Sequence, residues 1–342
     1  MKYVAPWWLP GGNLQTIWAA LRARRYAQSQ PVFRRERWAT PVTPVSGPGL
    51  DNDAHADFVD VDWLNSPPPP AGGLAQPLLV VFHGLEGSSA SHYAEAFAGV
   101  AQRRGWACAV PHFRGCSGEI NAAPRAYHSG DFAEIDWMLK RFAAGHAGPV
   151  VAVGISLGGN ALMRWAGVVG REASGVVAAI ASVCSPLDLA ASGHAIGKGF
   201  NRLVYTRMFM RSLVPKALKK WHQHPGLFDR AQLAAARTIY DFDNVFTAPL
   251  HGFKGTDDYW RQASAKPVLH QIAIPALALN ARNDPFIPAA SLPQPGEVGR
   301  CVTLWQPAEG GHVGFPAGRF PGHVHAMPEA VVGFLAAHIP GV

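Results

Sequence analysis

The sequence predicts an α/β protein with a doubly wound, mostly parallel sheet and a helical cap inserted late in the chain. Short apolar runs alternate with segments of helical spacing, and one long helical interval interrupts this rhythm. Strands that alternate with helices form parallel sheets, whose strands are buried on both faces and read as continuous apolar runs. The chain has 342 residues, enough for one enlarged domain of this class.

The predicted elements follow one another from residue 57 onward. Residues 57–63 alternate polar and apolar side chains, as a half-buried strand does. Further strands are predicted at 78–82, 106–110, 149–154, 176–183, 276–280 and 302–305. Helices are predicted at 92–104, at 130–142, from 157 onward and at 328–338. The four prolines at 67–70 cannot join a sheet ladder, so we expect a surface connection there.

The interval 188–265 is predicted to be the cap, and residues 1–187 and 266–342 the core with an N-terminal extension. The cap lies where ligands bind in open α/β sheets. Between Asp188 and Phe228 one acidic residue faces seven basic ones, which are Lys198, Arg202, Arg207, Arg211, Lys216, Lys219 and Lys220. A solvated helix face, an anionic substrate or peripheral contact with membrane lipid would each explain this charge. Nucleic acid is not expected as a partner, because no binding module accompanies the charge.

The cysteine spacing and the N-terminal sequence indicate the cellular compartment that we expect. The four cysteines form no CxxC pair and no metal-ligand spacing with histidine. They are Cys108, Cys116, Cys184 and Cys301. We therefore expect reduced thiols in a cytoplasmic protein, with no metal and no organic cofactor. No signal peptide is expected, and no stretch approaches the ~18 apolar residues of a membrane-spanning helix.

The sequence Gly-Ile-Ser-Leu-Gly at 154–158 follows a predicted buried strand and precedes a predicted helix. This G-x-S-x-G pattern places a serine on a tight strand-to-helix turn. A serine hydroxyl becomes a good nucleophile only when an adjacent base takes its proton. Ser156 is therefore the predicted nucleophile, and its partners should follow it in the order acid, then histidine.

Asp284 and His312 are the predicted acid and base. Asp284 follows the strand predicted at 276–280, and His312 lies in a glycine-rich loop after the strand predicted at 302–305. The acid would orient the imidazole and stabilise the imidazolium. Other candidates for the acid are Asp257 and Asp258, in the cap, and other candidates for the base are His323 and His325.

The loop after the strand at 78–82 is the predicted source of one oxyanion donor. In this arrangement a second donor comes from the residue after the nucleophile. We therefore expect the backbone N–H groups of Leu85 and Leu157 to face the oxyanion. His83 is expected to brace this loop.

Several segments together resemble the YheT-like branch of the α/β hydrolases, which is related to the eukaryotic ABHD-type lipid esterases. The similar segments are 13–17 (Asn-Leu-Gln-Thr-Ile), 83–88, 113–119, 154–160, 240–243 and 255–260. The resemblance implies the α/β-hydrolase fold and hydrolysis of an acyl lipid or a short- or medium-chain acyl ester. It implies Ser156, Asp284 and His312 as the triad. Asn13 departs from the pattern, because the family often has histidine there.

The predicted function is a serine esterase that acts through an acyl-enzyme on a small-molecule acyl ester. An acyltransferase that passes the acyl group to an alcohol or thiol would use the same residues. A non-catalytic binding protein that keeps the fold is an alternative of another class. Six cap side chains could line an acyl pocket or form the core of the cap itself, and these are Phe200, Tyr205, Met208, Phe209, Met210 and Trp221. The oligomeric state is left open.

Overall fold

The computed structural model describes residues 2–23, 25–27, 29–40, 56–65 and 75–339. Within these residues eight strands form one sheet: β1 (Phe33–Ala39), β2 (Phe58–Leu64), β3 (Leu78–Phe82), β4 (Ala107–Pro111), β5 (Val150–Ile155), β6 (Ala179–Val183), β7 (Ala276–Leu279) and β8 (Val302–Trp305). Their order is β1-β2-β4-β3-β5-β6-β7-β8. β2 is antiparallel to both neighbours, and the pairs from β4 to β8 are parallel.

The described chain also contains twelve α-helices: α1 (Gly12–Leu21), α2 (His92–Arg103), α3 (Phe132–Gly145), α4 (Leu157–Val169), α5 (Leu189–Ile196), α6 (Gly199–Asn201), α7 (Arg207–Gln223), α8 (Arg230–Ala235), α9 (Ile239–Phe242), α10 (Ala248–Leu250), α11 (Thr256–Ala263) and α12 (Ala326–Ala336). A π-helical turn, Arg202–Thr206, joins α6 to α7 in one continuous helix at 199–223. No helix among the described residues is long and apolar enough to cross a membrane.

The core lies on both faces of the sheet, as β3 illustrates. All five of its residues are fully buried. Leu78, Val80 and Phe82 pack in the cluster on one face, and Leu79 and Val81 pack in the cluster on the other. Alternate side chains of a strand point to opposite faces, so a strand covered on both faces must be apolar throughout. Each such side chain contributes roughly 1.5–3 kcal/mol on burial.

The predicted doubly wound, mostly parallel sheet is confirmed. β4 lies on one side of β3 and β5 on the other, so the direction of winding reverses between β3 and β5. Ligands in such sheets bind beyond the carboxyl ends of the strands at this reversal. The predicted strands and helices are all present within a few residues, but the sequence did not predict α1 or β1.

Helices α5 to α11 occupy the interval between β6 and β7 and fall within 188–265, the segment we call the cap region. The exact division between the cap region and the core stays a prediction. The proline tract at 67–70 lies outside the described residues.

Candidate active site

Ser156 stands between the end of β5 and the start of α4, with φ 51° and ψ −117°. A left-handed backbone at a non-glycine residue costs about 1–3 kcal/mol and needs support from its surroundings. Flanking glycines permit the turn. A Cβ on Gly154 would lie 2.5 Å from the Gly159 Cα, and one on Gly158 would lie 2.5 Å from the His83 carbonyl oxygen. The tight packing holds the serine in its strained conformation at the sheet edge.

A continuous series of hydrogen bonds joins the three residues predicted to form the triad. The Nε2 of His312 lies 3.0 Å from the Oγ of Ser156, and its Nδ1 lies 2.8 Å from Oδ2 of Asp284. Because a carboxylate can only accept, Nδ1 carries the proton and Nε2 is left to accept from the serine hydroxyl. The other oxygen of Asp284 accepts from the Phe286 amide at 2.8 Å. The carboxylate side chain is fully buried.

The other candidate acids and bases lie elsewhere. Asp257 is exposed and accepts from the Tyr240 hydroxyl at 3.1 Å, and Asp258 pairs with Arg261, all within the cap region. The rings of His323 and His325 stack on each other with centroids 4.7 Å apart, in the segment before α12. The structure brings His312, rather than either of these histidines, to Ser156.

The loop that carries His312 is held by side chains from other parts of the chain. Its four successive backbone amides, 310–313, each donate to a different side chain. The acceptors are Gln15 Oε1 for Gly310 (2.9 Å), Asn283 Oδ1 for Gly311 (2.9 Å), Thr16 Oγ1 for His312 (2.8 Å) and Cys184 Sγ for Val313 (3.2 Å). Three separate segments therefore fix the backbone of this histidine.

These external hydrogen bonds matter because the loop is strained. Val313 and Phe315 have φ values of 57° and 42°, a region that side chains other than glycine rarely adopt. Gln15 is fully buried, and its Oε1 also accepts from the Asn283 side chain at 3.0 Å. A single glutamine thus ties the acid loop to the histidine loop. Sequence reasoning missed this role, although the segment 13–17 was singled out as a motif.

Asn13, the departure from the family pattern, lies at the start of α1. Its Oδ1 accepts from the hydroxyl of Tyr205 at 2.9 Å. The residue therefore links the N-terminal helix to the cap region. Its neighbours Gln15 and Thr16 make the hydrogen bonds to the histidine loop.

The loop after β3 passes directly over the serine. A Cβ on Gly84 would lie 3.2 Å from the Cβ of Ser156. Leu157 is the first residue of α4, so its amide belongs to the helix N-terminus, where negative charge is favoured. Both Leu85 and Leu157 line the same cavity as Ser156. These positions are compatible with the oxyanion role predicted for the two amides.

His83 braces this loop. Its Nε2 accepts from the Phe113 amide at 3.0 Å, and its Nδ1 lies 2.7 Å from the Gly84 carbonyl oxygen. Burial lowers the pKa of this imidazole to about 3, so it stays neutral at physiological pH. A neutral ring with one donor and one acceptor matches both contacts. The sequence-based expectation for this residue agrees with its contacts.

A cavity of about 180 Å³ opens beside Ser156 and His312. Most of its lining from the cap region is apolar, including Leu189, Ile196, Leu213, Phe242, Phe246 and Trp260. Of the six side chains suggested for an acyl pocket, only Phe209 lines it. Phe200 and Met208 are exposed, and Tyr205 packs on Phe286 instead. The sequence left open whether these side chains line a pocket or form the core of the cap, and Met210 packs in an apolar cluster of the cap region. Composition alone does not show which face of a helix turns inward.

Within the described chain, one cluster has the spacing of metal ligands: Cys184, Asp284 and His312. A metal would need the cysteine as thiolate. Burial raises the pKa of this thiol well above its ordinary value, and the nearby Asp284 raises it further. The aspartate and histidine are also already hydrogen-bonded to each other. The donor set therefore does not suit a metal ion.

Comparison with known proteins shows the family of this chain. A family model described as the alpha/beta hydrolase fold matches residues 77–318, which contain all the site residues predicted from the sequence. The chain belongs to the alpha/beta hydrolase fold family. This hydrolase is 42% identical over 267 residues to YheT of Escherichia coli, which is named as an esterase, and the match covers 77% of this chain and 76% of YheT.

More distant relatives point the same way. Phospholipase ABHD3 of Mus musculus is 27% identical over 292 residues, covering 85% of this chain and 68% of the phospholipase. Among solved structures, an esterase from Pyrococcus furiosus has the same fold. Its TM-score is 0.52 at 13% identity, over 90% of this chain and 93% of the esterase. The hydrolase is a carboxylic ester hydrolase of the YheT-like branch.

Proposed function

We propose that this hydrolase cleaves acyl esters by two successive acyl transfers at Ser156. His312 takes the proton of the serine hydroxyl, and the serine oxygen attacks the ester carbonyl. The resulting oxyanion accepts hydrogen bonds from the amides of Leu85 and Leu157. The tetrahedral intermediate then collapses, the ester C–O bond breaks, and His312 gives its proton to the leaving alcohol.

Hydrolysis of the acyl-enzyme repeats the sequence with water. His312 takes a proton from the water molecule, and the hydroxide attacks the acyl carbonyl. The serine leaves with the proton held by His312, and the carboxylic acid is released. Asp284 accepts the hydrogen bond from Nδ1 and stabilises the imidazolium that forms in each half of the reaction.

The observation that carries this proposal is the unbroken hydrogen-bond series from Ser156 through His312 to Asp284, with distances of 3.0 and 2.8 Å. It occurs at a strained strand-to-helix turn and at the carboxyl edge of a parallel sheet. The loop after β3 lies beside Ser156, where its backbone amides could stabilise an oxyanion, and this position adds support. Loss of one oxyanion donor typically lowers the rate ~10²–10³-fold.

We further propose that the substrate has an apolar acyl chain. The cap region lines the cavity largely with apolar side chains, which suits a hydrocarbon chain. The volume of about 180 Å³ is below the range of about 300–1,000 Å³ common for drug-sized ligands. A single short- or medium-length acyl chain therefore suits the cavity better than two long chains.

The test uses the purified protein with a fluorophosphonate probe and p-nitrophenyl esters from C2 to C12. Wild-type protein should be labelled and should turn over the series, and Ser156→Ala should lose both activities. Ser174→Ala, a matched change at an exposed serine, should keep both. Labelling that persists in Ser156→Ala would remove this serine as the nucleophile.

A further inference from the structure

The helix at 199–223 exposes several large apolar side chains. Phe200, Leu203, Val204 and Met208 are 51%, 60%, 37% and 53% exposed. Residues spaced three and four apart share one face of a helix, so these four form a single strip. The opposite face is buried and contributes Phe209 and Leu213 to the cavity. The helix therefore has two apolar faces. One packs inside the fold and the other is turned toward solvent.

Basic side chains accompany this apolar strip. Arg207 and Arg211 continue its spacing and are exposed. A groove of about 710 Å³ beside it is lined by four arginines and by no acidic residue, and these arginines are Arg202, Arg207, Arg211 and Arg237. Among the described residues, Arg202, Arg207 and Arg211 form no ion pair with a carboxylate. Their charge is available to an outside partner.

Two other basic residues of the cap region have partners within the fold. Lys216 pairs with Glu86 at 2.9 Å, and buried Lys220 donates to the Ala123 carbonyl at 2.9 Å. Of the seven basic residues noted in the sequence, these two have partners within the fold, and the other five are exposed: Lys198, Arg202, Arg207, Arg211 and Lys219. The three exposed arginines are the ones that line the groove beside the apolar strip.

We propose that the strip formed by Phe200, Leu203, Val204 and Met208, with the arginine-lined groove beside it, docks on an anionic lipid surface. Interfacial helices combine exposed apolar side chains, which enter the boundary between headgroups and acyl chains, with Arg and Lys that attract anionic headgroups. A free phosphate or a nucleic acid would use the arginines but would leave the apolar strip in water. An anionic lipid surface can bind both the apolar strip and the arginines.

Docking in this way would bring the cavity close to a source of substrate. Phe209 and Leu213 lie on the inner face of the same helix and line the cavity next to Ser156. An ester dissolved in the lipid would then have a short route through the cap region to the serine. This consequence rests on the proposed function, whereas the docking itself does not.

The test measures co-sedimentation with vesicles of phosphatidylcholine alone or with 30% phosphatidylserine. The protein should bind the anionic vesicles and bind the neutral ones at least tenfold more weakly. Raising the salt from about 0.05 to 0.5 M should weaken binding, because salt screens exposed charges. Replacing Arg202, Arg207 and Arg211 with glutamine should lower binding roughly 10²-fold, given the contribution of each basic residue near a charged membrane.

A matched control removes the same charge elsewhere. Arg22, Arg171 and Arg300 are exposed and distant in sequence from the strip, and their triple change to glutamine should leave binding within about twofold. The triple serine variant, Phe200→Ser, Leu203→Ser and Met208→Ser, should also lose binding while retaining its turnover of soluble p-nitrophenyl butyrate. Ser156→Ala should bind vesicles like wild type, which separates docking from catalysis.

Four outcomes would overturn the proposal. The first is equal binding to neutral and anionic vesicles. The second is equal loss in the two arginine triple variants, which would make net charge rather than location responsible. The third is a change from dimer to monomer in the serine variant by light scattering, which would assign the strip to contact between copies. Displacement by millimolar inorganic phosphate without any effect of the serine variant would assign the groove to free anions.

Discussion

The hydroxyl oxygen of Thr16 accepts a hydrogen bond of 2.8 Å from the backbone amide of His312, across 296 positions of sequence. The same hydroxyl donates to the Gly12 carbonyl at 2.7 Å within α1. The proposed general base is thus fixed to a helix at the other end of the chain. Thr16 lies outside the cavity, so any effect it has on the reaction must pass through the position of His312.

Thr16→Val should therefore lower kcat more than it raises KM. Valine keeps the shape of threonine but cannot accept the amide, and a displacement near 1 Å at the reacting group costs ~10²-fold. We expect kcat for p-nitrophenyl butyrate to fall by about 10–10² with KM within about threefold. Thr16→Ser, which retains the hydroxyl, should restore most of the rate. An unchanged kcat in a folded Thr16→Val protein would contradict this positioning role.

Asp284→Asn should nearly abolish turnover without unfolding the protein. An amide can donate to Nδ1, which favours the tautomer whose Nε2 cannot accept from Ser156, and this change costs about 10⁴ in kcat in serine proteases with this triad. Steady-state kinetics at pH 7–8 with circular dichroism measures both effects. Asp257→Asn, at the exposed alternative acid, should keep full activity. A large loss of turnover in Asp257→Asn with none in Asp284→Asn would make Asp257 the acid of the triad.

The acyl-chain preference should follow the volume of the cavity. Phe209→Ala enlarges the pocket, so kcat/KM should shift toward longer p-nitrophenyl esters, by roughly 1.4 kcal/mol or tenfold for each one to two added methylenes that become buried. Phe200→Ala makes the same change on the exposed face of the same helix and should leave the profile unaltered. Identical profiles for the two variants would place the acyl chain elsewhere.

Asp243 should make the folded protein less stable as the pH rises from about 4 to 6, the reverse of the usual effect of a carboxyl group. Burial raises the pKa of this carboxyl to about 6, although the Trp260 indole donates to it at 2.8 Å. The folded state then holds the proton more tightly than the unfolded state, whose pKa is about 3.9. The carboxyl therefore adds at most roughly 3 kcal/mol to the free energy of unfolding. This contribution is complete below about pH 4 and is lost as the pH rises through 6.

Asp243→Asn removes that titration. Urea denaturation from pH 4 to 7.5 should show the stability of the variant gaining on wild type across pH 4–6 and running parallel above pH 7. Glu172→Gln, at an exposed carboxyl, should track wild type throughout. A constant difference between Asp243→Asn and wild type over this range would mean that the carboxyl titrates normally.

Much of the fold was predictable because burial on both sheet faces forces apolar strands. The run at 78–82 shows this directly, since all five residues are fully buried and no polar residue interrupts them. The order of Ser156, Asp284 and His312 also followed from topology, because each residue lies in the segment that follows the carboxyl end of a parallel strand. Parallel strands end at one edge, so local position in the sequence was enough to group the three.

Two features of the site were not predictable in this way. The contacts of Gln15 and Thr16 join residues almost 300 positions apart, and no periodicity or spacing in the sequence reports such a contact. The cap side chains that line the cavity were not predictable for a different reason. Phe200 and Phe209 belong to the same helix, and only the packing of that helix shows that one is exposed and the other lines the cavity.

The loop at 310–313 has a consequence for how activity appears during folding. Its amides are held by Gln15 and Thr16 from one end of the chain and by Asn283 and Cys184 from much later segments. A nascent or refolding chain can form the sheet and its helices before these contacts exist. Enzymatic turnover should then return after helical circular dichroism does, so that in this hydrolase activity reports the completion of folding rather than its onset.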